Sequence, residues 1–144
     1  MQNHKSYNED FYGWAHEQAN LIRNGDFKNM DIDNLVEEIE CLARREKSTL
    51  KNQIKKFLLH KLKIKYQPYL HTRSWDISIN NASIEVAEIL EENPSLKSLY
   101  EEIFKKAYKN ARMEACKETG LEESIFPEEC PWKSDELLGS DSIK

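Results

Sequence analysis

The residues of this chain best suited to chemistry are the carboxylates of LVEEIE, Glu37, Glu38 and Glu40, together with His60. Carboxylates and imidazole are good ligands for Mn, Fe or Zn, and helical bundles do build metal sites from inward acids and histidine. A divalent transition metal on Glu37, Glu38, Glu40 and His60, with Glu38 and His60 as the catalytic pair, would give a metal-dependent hydrolase or nuclease. Such a site needs the helix that carries them to fold back between the acids and the histidine. The Glu-x-x-His spacing is absent, and helical angles set Glu37 on the wet side, with Glu38 and Glu40 flanking the apolar stripe. The plainer reading is that these acids complement a helix N-terminus and neutralise nearby cations, with no cofactor.

Other catalytic signatures are missing. There is no GxSxG elbow and no Gly-rich phosphate loop. Cys41, the one thiol near acids, would be held protonated by them. Cys41, Cys116 and Cys130 are odd in number and widely spaced, which fits reduced structural thiols rather than a disulfide framework or a CxxC metal site.

A second set of residues suggests binding rather than catalysis. Residues 44–73 carry ten Lys or Arg against the single Glu46, while both flanking segments are acidic and the chain as a whole is −5. Within the band, Lys55, Lys56, Lys63, Lys65 and Arg73 are interleaved with Tyr66 and Trp75. Cations can hold phosphates or an acidic protein while aromatic rings stack on bases. The same band is also what the acidic flanks would neutralise if they folded against it, and the acidic pI speaks for that alternative.

Helices must position both sets. Phe11, Trp14, Ala15, Gln18, Leu21 and Ile22 recur at helical spacing and stop at Asn24-Gly25, a C-terminal cap pair. Asp31 or Asp33 then caps a second helix, whose stripe of Ile32, Leu35, Val36, Ile39 and Leu42 resumes as Leu50, Ile54, Phe57, Leu58 and Leu62. No Gly or Pro interrupts residues 31–67, so this segment is either one rod of roughly 50 Å or a helix bent where the stripe fades, at 44–49. Glu46 and Lys61 fall on the stripe, snorkelling at its edge or paired. After QPYLHTR, Ser74 is the expected cap of a third helix with Trp75, Ile79, Ala82, Val86 and Ile89 on one face. Ile77 and Ile84 lie on the other face and could join two copies of the chain. Asn93-Pro94 opens a fourth helix, which closes at Thr119-Gly120-Leu121 as a Schellman cap. In the Pro-punctuated arm that follows, Ile125, Phe126 and Trp132 are expected to pin the chain to the helices, and residues 139–144 to fray.

These elements predict an all-α fold, a bundle of four main helices with a long central helix and a C-terminal arm, forming a single domain over 1–144. No stretch approaches the ~20 apolar residues of a membrane span, and MQNHKSYNEDF lacks a signal-peptide core, so a cytoplasmic location is expected.

The order of several short segments, YNEDFYGWAHEQANLIRNGDF, MDIDNLVEEIE, LLHKLKIKYQP with the following RSW, NPSL, and KETGLEESIFPEECPW, resembles a bacterial, largely cyanobacterial family known as domain of unknown function twenty-nine. The resemblance runs over almost the whole chain. It implies a compact all-helical domain and carries no activity with it. The expected function is thus a non-enzymatic binding or regulatory module using the basic helix face, with the metal-dependent hydrolase as the alternative.

Overall fold

The computed structural model describes residues 6–138. They fold into four α-helices, and no strand occurs among the described residues: α1 (Phe11–Arg23), α2 (Ile32–Tyr66), α3 (Arg73–Glu92) and α4 (Tyr100–Thr119), linked and followed by short 3-10 turns. The frayed end expected at 139–144 lies outside the described residues. Two compact units divide the chain between Arg44 and Arg45, so α2 contributes its first third to one unit and the remainder to the other.

The first unit is a helical hairpin. Asp10 caps α1, its carboxylate accepting from the Gly13 N–H at 3.0 Å. Gly25, at φ 71°, ends it, as an L side chain there would be strained. The Gly25 N–H donates to the Ile22 carbonyl and the Asp26 N–H to that of Leu21, the double bond of a Schellman cap. A 3-10 turn at Phe27–Asn29 leads to Asp31, which is the cap of α2 in preference to Asp33. Among its described residues, only Trp14 and Gln18 are buried.

α2 passes through residues 44–49 without a break. Arg44 joins Glu37 and Glu40 on the preceding turns, and the Thr49 hydroxyl donates to the Arg45 carbonyl four residues back. Residues 44–47 are all good helix formers, so nothing local favours a bend.

The second unit holds the hydrophobic core. Leu50, Ile54, Leu58 and Leu62 of α2 pack with Ala82, Val86 and Leu90 of α3 and with Ile103, Ala107, Ala111 and Ala115 of α4. The alanine row on α4 leaves room for the larger residues facing it. α3 starts two residues earlier than expected, with Thr72 rather than Ser74 outside its first turn. The Pro94 start builds a six-residue 3-10 turn, Pro94–Leu99, before α4 begins at Tyr100. Gly120 closes α4 at φ 74° with a single bond to the Cys116 carbonyl, while the Leu121 N–H turns to the Thr119 hydroxyl. The result is the simpler left-handed cap rather than the Schellman form.

The arm is fastened through backbone carbonyls. The Tyr108 hydroxyl donates to Pro127, the Tyr100 hydroxyl to Ser134 and the Ser83 hydroxyl to Leu137, while the Arg112 guanidinium donates to Phe126. Phe126 is sealed in the core and Trp132 packs on it, whereas Ile125 stays exposed. Leu137, which the sequence pattern does not single out, is fully buried. Among the described residues no helix is long and apolar enough to cross a membrane.

Candidate functional site

The basic band is mostly engaged within the second unit. Lys55 meets Glu114 at 3.2 Å and Lys63 meets Glu118 at 3.8 Å, both acids on α4. The Lys63 ammonium also stands 4.6 Å from the centre of the Trp75 ring. The Lys61 and Lys65 ammonium groups lie over the Trp132 ring at 5.4 and 5.8 Å, which answers how Lys61 sits on the apolar stripe: its charge faces an aromatic ring. Tyr66 packs edge-on against Phe126. Lys56, Lys65 and Arg73 remain exposed. The residues expected to form one binding surface are therefore largely divided among internal ion pairs and ring contacts.

The carboxylates of LVEEIE are likewise committed. Glu37 and Glu40 hold Arg44, at 3.0 and 3.8 Å. Glu38 accepts the Tyr7 hydroxyl, and that bond, with the neighbouring negative charge, pushes the Tyr7 pKa up to about 12. His60 Nδ1 is 2.8 Å from the Lys56 carbonyl oxygen one turn earlier. The fold-back at 44–49 that a shared site required is absent from α2, and no group of three or more His, Cys, Asp or Glu among the described residues is placed to hold a metal ion. Glu46 is exposed, with the Asn93 amide 3.5 Å away.

An open cleft of about 580 Å³ lies between α4 and the arm, with Tyr108 and Trp132 in its wall and Glu101, Glu128 and Cys130 around it. Burial raises the pKa of the Cys130 thiol, so it is not a ready nucleophile.

A different feature emerges in the hairpin. Its two helices are held together by polar contacts more than by a core. The Trp14 indole N–H donates to the Asp31 carboxylate at 2.9 Å, and Gln18 Oε1 accepts from the Asp31 N–H at 2.7 Å. Asn34 adds its side-chain amide to the same carboxylate at 2.8 Å. These bonds to Asp31, the Asn34 amide first, hold its pKa below the ordinary carboxylate value. Tyr7 packs edge-on against both Phe11 and Trp14, and the Phe11 and Trp14 rings lie tilted to each other by 35°. Because this clasp joins the helices, the apolar stripe of α2 is left outside: Ile32, Val36, Ile39 and Leu42 are 57, 46, 64 and 57 % exposed. Phe11 and Ile22 of α1 and Phe27 of the turn are also about half exposed or more.

Sequence reasoning reads these stripe residues as core, since their periodicity continues into Leu50 and Ile54. Two signals distinguish them. The hairpin offers α2 only one helix to pack on, and three of the four exposed stripe residues are followed directly by an acid: Ile32-Asp33, Val36-Glu37, Ile39-Glu40. On a helix this makes two parallel lanes, one apolar and one acidic.

Comparison with family models matches residues 6–143 to domain of unknown function DUF29. The chain belongs to that family. The match takes in both units, so the hairpin and the helical body are together part of the DUF29 domain here. Comparison with curated proteins and with solved structures gives no match.

Proposed function

We propose that this chain is a non-enzymatic docking module, in which the second unit is the folded body and the N-terminal hairpin receives an amphipathic helix of another protein. One observation carries the reading: the stripe of α2 is completely buried at Leu50 and Ile54, yet about half or more exposed at Ile32, Val36, Ile39 and Leu42. Isolated exposed apolar residues are ordinary, but four on one helix face at i, i+4, i+7 and i+10 form a seam of the kind that helix-in-groove recognition uses. The hairpin does not need these side chains to hold itself together, since the Asp31 clasp and the aromatic cluster do that.

The basic face supports binding less well. Lys55 and Lys63, two of the cations that would project from it, are paired with Glu114 and Glu118. An approaching anion would have to displace those acids.

The test uses a synthetic helix with Leu at i, i+4 and i+7 and Gln at the flanking positions, titrated into the intact chain and followed by fluorescence anisotropy of the labelled peptide. The docking reading expects saturable binding that is lost in the double variant Val36→Ser/Ile39→Ser while the melting temperature stays within a few degrees of the parent. Binding unchanged in that variant, or a variant that no longer folds cooperatively, would contradict it.

A further inference from the structure

Resting on that docking reading, we infer that the helix received by the hairpin is cationic, with Lys or Arg placed to meet the acidic lane Asp33, Glu37 and Glu40. Residues 6–44 hold nine Asp or Glu against Arg23, Lys28 and Arg44. The acidic lane runs one position ahead of the apolar one along α2, so a helix seated on Ile32, Val36 and Ile39 lies directly beside Asp33 and Glu40, with Glu37 a step further out within reach of a long cation. Covering a carboxylate strips its water, which is costly unless a cation replaces it, and the same drying strengthens the ion pair that forms. Arg44 already shows the geometry, reaching Glu37 and Glu40 with more than half of each side chain in solvent. An exposed pair of this kind is weak, so a partner's cations can join or replace it.

The same lanes exclude a second copy. Two hairpin helices laid antiparallel with their exposed stripes in register would set Glu37 against Glu37 and Asp33 against Glu40, like charges along the whole contact. A register centred on Leu42 would match acids to bases, since the lane continues as Arg44, Lys47 and Lys51. It would also lay the partner's Asn34 and Leu35 over Leu50, which is fully buried in the body and offers no surface. In a parallel pair the acidic lane would meet Leu35, Glu38 and Leu42, none of them a cation.

The experiment compares three labelled peptides with one Leu stripe, flanked by Lys, Gln or Glu, each titrated into the intact chain, into Val36→Ser/Ile39→Ser and into Asp33→Asn/Glu37→Gln/Glu40→Gln. The Lys-flanked helix is expected to bind about tenfold tighter than the Gln-flanked one at low salt, with the gap closing as salt rises, and the Glu-flanked helix weakest. The triple variant should bind the Lys and Gln peptides alike. Equal affinity for all three peptides, with binding still lost in Val36→Ser/Ile39→Ser, overturns the cationic inference and leaves the docking reading standing. Indifference of every peptide to Val36→Ser/Ile39→Ser removes the docking reading itself. A molar mass that rises with protein concentration in the parent, but not in Val36→Ser/Ile39→Ser, gives the face to a second copy and overturns the inference.

Discussion

From Leu50 to Leu62 the apolar stripe of α2 is sealed by α3, α4 and the arm, whereas from Ile32 to Leu42 the same periodicity on the same helix faces solvent. The two halves differ in what their neighbours are made of. In the body, the core faces of α3 and α4 are apolar, so each α2 stripe residue finds a packed counterpart and contributes burial energy of roughly 1.5–3 kcal/mol for a large residue. In the hairpin, Trp14 and Gln18 of α1 and Tyr7 just before it meet α2 and its cap through polar atoms that bind Asp31 and Glu38. A helix pair held by hydrogen bonds leaves its apolar residues unspent. The lesson is that a continuous hydrophobic pattern records where apolar surface lies, not whether the chain itself covers it.

The largest expected effect separates the halves by one residue type. Ile54→Ala should cost about 2–5 kcal/mol in urea unfolding, through lost burial and an added cavity. Ile39→Ala should cost no more than about 0.5 kcal/mol, as for other surface changes. Equal costs would erase the distinction between the halves.

A smaller effect should be confined to the hairpin. Trp14→Phe keeps a ring in place but removes the donor to the Asp31 carboxylate, at about 1.5–3 kcal/mol for a bond to a charged acceptor. Amide hydrogen exchange should quicken over residues 11–23 and stay unchanged over residues 50–62. Uniform quickening would mean that the clasp supports the whole chain.

The two units should also part with pH. The Asp31 pKa is lowered by folding, so its contribution is present above its ordinary value and is lost as the pH falls through the folded one. Acid should therefore loosen the hairpin, and Asp31→Asn should remove that dependence. At the other extreme, burial raises the Tyr108 pKa from 10.0 to about 12, so its contribution is whole below pH 10 and is lost as the pH rises through 12. Alkali should release the arm of the body over that range, a response that Tyr108→Phe should abolish, while Tyr7, whose pKa is likewise raised to about 12, loses its bond to Glu38 in the hairpin over the same range; far-UV and near-UV circular dichroism of parent and variant would check it. The smallest expected change is Lys55→Gln, within about 0.5 kcal/mol and dependent on salt, because the Glu114 pair is partly solvated.

Much of this fold is legible in the residues. Gly25 and Gly120 mark helix ends because the left-handed conformation needs them, and the 3.6-residue period places the core faces of α3, α4 and the part of α2 from Leu50 onward correctly. The continuity of α2 is less legible, since the fading stripe at 44–49 fits a bend as well as a helix stabilised by Glu37 and Glu40 on Arg44. Leu137 is hidden because its burial depends on an arm held by tyrosine hydroxyls from α4, contacts too distant in sequence for any local pattern. The basic band misleads for the same reason, as Glu114 and Glu118 lie more than fifty residues away from the lysines they neutralise. The exposed stripe was visible as residues but not as a surface, because periodicity alone does not say that α1 binds α2 through Asp31.

The most direct test is a titration of the intact chain, labelled at isoleucine δ-methyl groups, with the Lys-flanked helix, followed by methyl resonances. The account predicts progressive shifts at Ile32 and Ile39 with Ile54 and Ile103 unmoved. Shifts confined to Ile77 and Ile84, or none at any isoleucine up to saturating peptide, would contradict it.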